Sequence, residues 1–151
     1  QWYKDNYVQP DVPTGKLYHA TLTVYESAIM RQGLKPDGEC KMYDGCGFGH
    51  VYLATQPRTA VAFVADDQSG INQELLAKHG AGGGTLFEID SSKLNSKLFT
   101  DDENWNERDW WSMKDFTYRY GAPVPPSAIR VAKRFGISLG YYNQKQVRDV
   151  R

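Results

Sequence analysis

Aromatic and β-branched residues crowd the run Leu17-Tyr18-His19-Ala20-Thr21-Leu22-Thr23 directly after the turn signal Pro13-Thr14-Gly15, and this pattern predicts a strand. From Val24 to Leu34 the period changes. Val24, Ala28 and Ile29 fall on one side of a helix that Gly33 and then Pro36 would stop. Gly, Asp and Cys fill positions 37–49, which read as a loop. Val51-Tyr52-Leu53-Ala54-Thr55 follows as a strand, and Pro57 stands where a helix through Ala60, Val61 and Phe63 would begin.

Ile71, Leu75 and Leu76 recur at helical spacing over Ile71 to Lys78. Gly80 to Gly84 reads as a flexible connection into the strand Thr85 to Asp90. Two further strands are predicted at Phe116 to Tyr120 and Ile129 to Phe135, split by a turn at Pro123 to Pro126. Strands without intervening helices near the end disfavour a doubly wound parallel sheet. The order fits an α+β domain of one or two antiparallel sheets with short helices packed at the side.

At 151 residues the chain is one domain in size, and no internal repeat or low-complexity run divides it. A single domain over 1–151 with its core in 17–135 is expected. The hydrophobic share is 40% and the charged share 24%, a balance that fits neither a disordered polar chain nor a membrane span. Eighteen basic residues offset eighteen acidic ones, so no global basic excess favours nucleic acid. The charge is nevertheless segregated: residues 130–151 carry Arg130, Lys133, Arg134, Lys145, Arg148 and Arg151 against Asp149, while residues 99–115 are mainly acidic.

Cys40 and Cys46 are the only cysteines, too few for a disulfide framework, although one bridge is open. With His50 they match no common zinc spacing and lack an evident fourth ligand, so no metal is expected. The Gly80–Gly84 run precedes a strand and lacks both the dinucleotide fingerprint and the Gly-Lys-Ser/Thr of a phosphate loop. Neither a Gly-x-Ser-x-Gly elbow nor a His-Glu-x-x-His helix occurs.

Three segments stand out together. They are Leu17-Tyr18-His19-Ala20-Thr21, then Phe48-Gly49-His50-Val51-Tyr52-Leu53-Ala54-Thr55 with Phe63 eleven residues after Tyr52, then Lys114-Asp115-Phe116-Thr117-Tyr118. In this order, over residues 17–131, the chain resembles the ADP-ribosyltransferase superfamily, in the branch typified by diphtheria toxin and the poly(ADP-ribose) polymerases, whose motif letters are His, Tyr and an acid. Gly33-Leu34 matches the end of the family's first helix, Leu86 to Asp90 its central apolar strand, and Tyr118 to Ile129, with Val124-Pro125-Pro126, the segment after the acid.

The resemblance implies antiparallel sheets forming a split β core with flanking short helices. It implies NAD as substrate, released nicotinamide, and ADP-ribose transfer to a macromolecular acceptor, protein or nucleic acid, with NAD hydrolysis as a side reaction. His19, Tyr52 and Asp115 would be catalytic, and His19, Ala20, Thr21, Tyr52 and Phe63 would hold the dinucleotide. Glu103 and Glu107 are substitutes for the acid, and Trp105, Trp110 and Trp111 read as packing or as a substrate-facing loop.

Cleavage of the nicotinamide–ribose bond builds positive charge on the sugar, which an ionised acid stabilises. Two aromatic faces would hold the cationic ring. Three departures stand against the family pattern: Ala20 replaces the usual Gly, Ala60 replaces a hydroxyl residue, and Asp115 is one methylene shorter than Glu. The last two favour, as alternative, a binding module that keeps the pocket without catalysis. RNA 2′-phosphotransferase chemistry, with NAD as acceptor, normally has a second His where Tyr52 stands. A monomer is expected. The small size and the start at Gln1, with no apolar leader, suit a secreted or delivered toxin or effector, and equally a processed form or a piece of a longer chain.

Overall fold

The computed structural model describes residues 15–36, 49–65, 83–101 and 117–137. Strand β1 covers Lys16–Leu22, helix α1 Glu26–Gln32, β2 Val51–Ala54, α2 Pro57–Ala65, β3 Gly83–Asp90, β4 Phe99–Asp101, β5 Thr117–Tyr120 and β6 Ile129–Gly136. The fold is α+β. All six described strands pair antiparallel in one sheet of order β4-β5-β2-β1-β3-β6, flanked by the two short helices. The predicted helix at Ile71 to Lys78, the cysteines and the acidic and tryptophan-rich stretch from 102 to 116 lie outside the described residues.

The sheet has a weak seam. β1 and β3 are in register from Lys16↔Asp90 to Leu22↔Gly84, and β2 and β5 from Val51↔Tyr120 to Ala54↔Thr117. Between these two well-laddered halves, β1 and β2 share the one registered pair Tyr18↔Ala54.

Side chains alternate across a strand, so each face has its own core. Leu17, Leu53, Phe87, Ile89 and Tyr120 form the larger one, closed by Leu34, Val124 and Ala128. On the other face α2 lays Ala60 and Val61 against Ala54 and Leu86, with Phe135 beside them. The 3.6-residue period of α2 puts Ala60, Val61 and Val64 on its buried side, which is why this stretch is helical and where it docks.

Three expectations need correction. The helix expected from Val24 to Leu34 is shorter: a 3-10 turn occupies Thr23–Tyr25, α1 follows, and Leu34 has left the helix to bridge Val124. Val24 is 50% exposed rather than facing the core. The reason is polar. The Thr23 and Thr85 hydroxyls lie 3.0 Å apart, Thr85 donates to Glu26 at 2.8 Å, and Arg134 donates to both Glu26 oxygens. Those bonds turn Thr23 and Glu26 to the sheet and leave Val24 in water.

Gly83 and Gly84 are strand, not connection, paired with Gly136 and Phe135. A Cβ on Gly84 would enter the Phe135 ring, so the absent side chain makes room for that ring. The third correction is β4, a strand that the pattern along the chain does not predict. Three residues are too few for a periodic signal, and the strand is secured by the Phe99 ring 4.8 Å from Tyr120.

Gly33 ends α1 at φ 85°, with its N–H donating to the Ile29 carbonyl at 2.7 Å. A Cβ there would collide with the Val124 carbonyl oxygen, in a backbone region that already disfavours L side chains. Gly33→Ala is expected to destabilise the protein by about 1–3 kcal/mol, read as a lower urea midpoint at unchanged slope. An unchanged midpoint would mean that the Leu34–Val124 bridge shifts freely.

Candidate functional site

β1 and β2 carry the first two motif residues, and the seam between these strands brings them together. Register and alternation place Tyr18, Ala20, Ala54 and Tyr52 on the α2 face and Leu17, His19 and Thr21 on the other. The His19 ring nevertheless reaches β2: Nδ1 lies 2.8 Å from the Tyr52 carbonyl oxygen. A carbonyl only accepts, so Nδ1 carries the proton and the neutral ring keeps Nε2 as an acceptor. The two residues therefore meet through ring and backbone, not through their side chains. A side-chain donor takes a strand carbonyl beside the seam, where the register of β1 and β2 is limited to one pair.

The ring is half-buried. Burial pushes the His19 pKa below the ordinary histidine value, against the smaller opposing effect of the bond to the Tyr52 carbonyl. The folded protein thus favours neutral His19. Because the unfolded chain binds the proton more readily, this residue's contribution to stability is complete above the ordinary histidine range of about 6.5 and declines as the pH falls below it. Urea midpoints from pH 8 to pH 5 are expected to fall in the wild type. The His19→Asn variant should show a shallower fall, and equal slopes would remove His19 as the cause.

Phe63 lies on α2, half-buried, at the flank of the stripe formed by Ala60, Val61 and Val64. Thr59, one turn earlier on the same flank, is 5% exposed and supplies a buried hydroxyl that the sequence reading did not single out. Ala60 itself is 2% exposed in the core beneath α2. Ala20 is half-buried against the Leu22–Val64 and Ala54–Leu86 clusters, and Thr21 is half-buried on the His19 face. Asp115 and its substitutes Glu103 and Glu107 lie outside the described residues, and β5 begins two residues beyond Asp115.

Arg130 and Arg134, on the described part of the basic stretch, have acidic partners. Arg130 donates to Glu88 at 2.8 Å, Lys16 approaches the same carboxylate at 3.4 Å, and Arg134 grips Glu26 with two nitrogens. The Arg134 hydrogen bond, with that from Thr85, holds the Glu26 carboxyl below its ordinary range. The two guanidinium charges of β6 are thereby locally neutralised. Among the described residues no group of three or more His, Cys, Asp or Glu is placed to hold a metal ion, and no helix is long and apolar enough to cross a membrane.

Comparison with models of known protein families finds no match to this chain, and comparison with curated proteins finds none either.

Proposed function

We propose that this protein is an NAD-dependent ADP-ribosyltransferase that releases nicotinamide and passes ADP-ribose to a macromolecular acceptor, protein or nucleic acid, with hydrolysis of NAD when water is the acceptor. The observation that carries the reading is the 2.8 Å bond from the His19 ring to the Tyr52 carbonyl. Residues 33 positions apart, chosen from the sequence as the first two letters of one motif, are tied at the seam of the sheet. The α+β class supports the reading, and the limited pairing of β1 with β2 within the one six-stranded sheet is where a split of the core would fall.

In this reaction the bond between the nicotinamide nitrogen and the ribose carbon breaks, and its electron pair goes to the ring. The acceptor forms the new bond to the same carbon and loses a proton to solvent. Tyr52 and Phe63 hold the cationic ring by its faces, a contact worth about 0.5–2 kcal/mol per aromatic. His19, with Nδ1 occupied, offers Nε2 to a ribose hydroxyl. Asp115 supplies the ionised carboxylate for the sugar cation, a contribution of about 3–4 kcal/mol for a well-placed group.

A second reading has its own support. Ala60 replaces the family's hydroxyl residue and is sealed into the core, so it contributes no hydrogen bond to the nicotinamide amide. A module that binds NAD or ADP-ribose without turnover fits that loss. Calorimetric titration of the purified protein with NAD, with free nicotinamide quantified in the same cell, separates the two. Binding with release supports the enzyme and binding without release the module; absence of both refutes the NAD site.

A further inference from the structure

We propose that Glu26 is a positioning residue of this site: by gripping Thr85 on β3 and Arg134 on β6 it fixes the end of β1, which carries Ala20 and Thr21, and so sets how tightly NAD is held. The inference rests on the NAD reading above and adds to it a residue that acts through the strand beside it rather than on the ligand.

The clamp lies one row beyond His19. On one face of the sheet His19 stands opposite Phe87, and the next residues on that face, Thr21, Thr85 and Arg134, stand opposite one another across β1, β3 and β6. Successive rows on a face are about 7 Å apart along the strand. Thr85 is fully buried and donates its hydroxyl hydrogen to Glu26 Oε1 at 2.8 Å. A hydroxyl has one hydrogen to give, so across the 3.0 Å contact it is Thr23 that donates to Thr85. Arg134 closes the network from the far strand, with Nε on one Glu26 oxygen at 2.8 Å and a terminal nitrogen on the other at 2.6 Å. Such a fork fixes direction as well as distance.

Among the described residues little else holds this stretch. Neither the turn Thr23–Tyr25 nor α1 contains a buried residue, and Ile29 packs only partly buried against the larger core. The far end of α1 is anchored where Leu34 bridges Val124, and Glu26 anchors the near end. Support for β1 is uneven too: Ala20, Thr21 and Leu22 pair with β3, whereas the registered pairing with β2 is confined to Tyr18↔Ala54. The strand end beside the seam is therefore located by β3 along one side and by the Glu26 clamp at its exit. Apolar side chains would fill this corner at lower desolvation cost than a carboxylate and a buried hydroxyl. What a satisfied polar network adds is a single arrangement.

The test is the dissociation constant of NAD by calorimetry, with the rate of nicotinamide release at saturating NAD, for wild type, Glu26→Gln, Arg134→Gln and the double variant. Gln at 26 keeps an acceptor for Thr85 and loses the ionic fork, and Arg134→Gln, which alters an exposed side chain, keeps the test open should Glu26→Gln not fold. Gly33→Ala, which loosens α1 at its other end, is the control for general destabilisation. Each single variant is expected to weaken NAD by about 3- to 10-fold, the range of one hydrogen bond, with release at saturation within about twofold. The double variant is expected to stay within about twofold of the weaker single, because both break one clamp. Unchanged NAD affinity in the single variants, equal weakening in Gly33→Ala, or losses that multiply in the double variant overturns the role of Glu26 and leaves the NAD reading intact. A wild type that binds no NAD overturns both.

Discussion

Under the proposed function, nicotinamide release from NAD is expected to fall by about 100-fold in His19→Ala and to stay within about tenfold of wild type in His19→Asn. Alanine removes both nitrogens. With Nδ1 gone, the Tyr52 carbonyl loses its partner at the seam between β1 and β2, and a misplacement of about 1 Å at a reacting centre is enough for a 100-fold loss. Asparagine places an amide N–H close to where Nδ1 stood, so the carbonyl keeps a donor. It does not replace the Nε2 acceptor, whose single hydrogen bond is worth about 0.5–1.5 kcal/mol, up to about tenfold. Equal losses in the two variants would move the role of His19 from positioning β2 to Nε2 alone. Both proteins must first show wild-type circular dichroism, since the ring also joins two strands.

The largest stability effect is expected at Phe87. Truncation to alanine should cost about 3–5 kcal/mol, a large part of the 5–15 kcal/mol that holds a domain of this kind. Phe87 is fully buried, stands on β3 between β1 and β6, and packs in the same cluster as Leu17, Leu53 and Ile89. The ring is held from both sides by paired strands, with β1 and β6 in register on either flank of β3, and this limits how far the core can close over a cavity. Urea unfolding followed by tryptophan fluorescence and by circular dichroism gives the number. A loss below about 1.5 kcal/mol would mean that the core collapses around the missing ring.

Some of the architecture was legible from the chain alone because it depends on local chemistry. The β1, β2 and β6 segments are β-branched and aromatic, Pro57 opens α2 where a missing N–H does no harm, and Gly33 closes α1 in a conformation that other residues resist. That His19 and Tyr52 lie together was expected from the resemblance rather than from periodicity, and what the fold shows is that contact between ring and carbonyl. What local pattern does not carry is polar and long-range. Val24 looks like a core residue on a helical wheel, yet Glu26 is held to Thr85 and Arg134, the latter 108 positions away, and those bonds rotate the turn. Gly83 and Gly84 look like a hinge until Phe135 is seen to need the space above Gly84.

Residue types and their spacing were therefore sufficient for the α+β class, for most strand positions and for the choice of candidate residues, since propensity and capping act over a few neighbours. Tertiary structure alone decided that β2 lies beside β1 with a single registered pair, that the His19 ring takes the Tyr52 carbonyl, and that Thr85 and Arg134 reach Glu26. Strand pairing depends on backbone hydrogen bonds, which every residue but proline offers alike. No side-chain pattern along one strand specifies which distant strand will accept them.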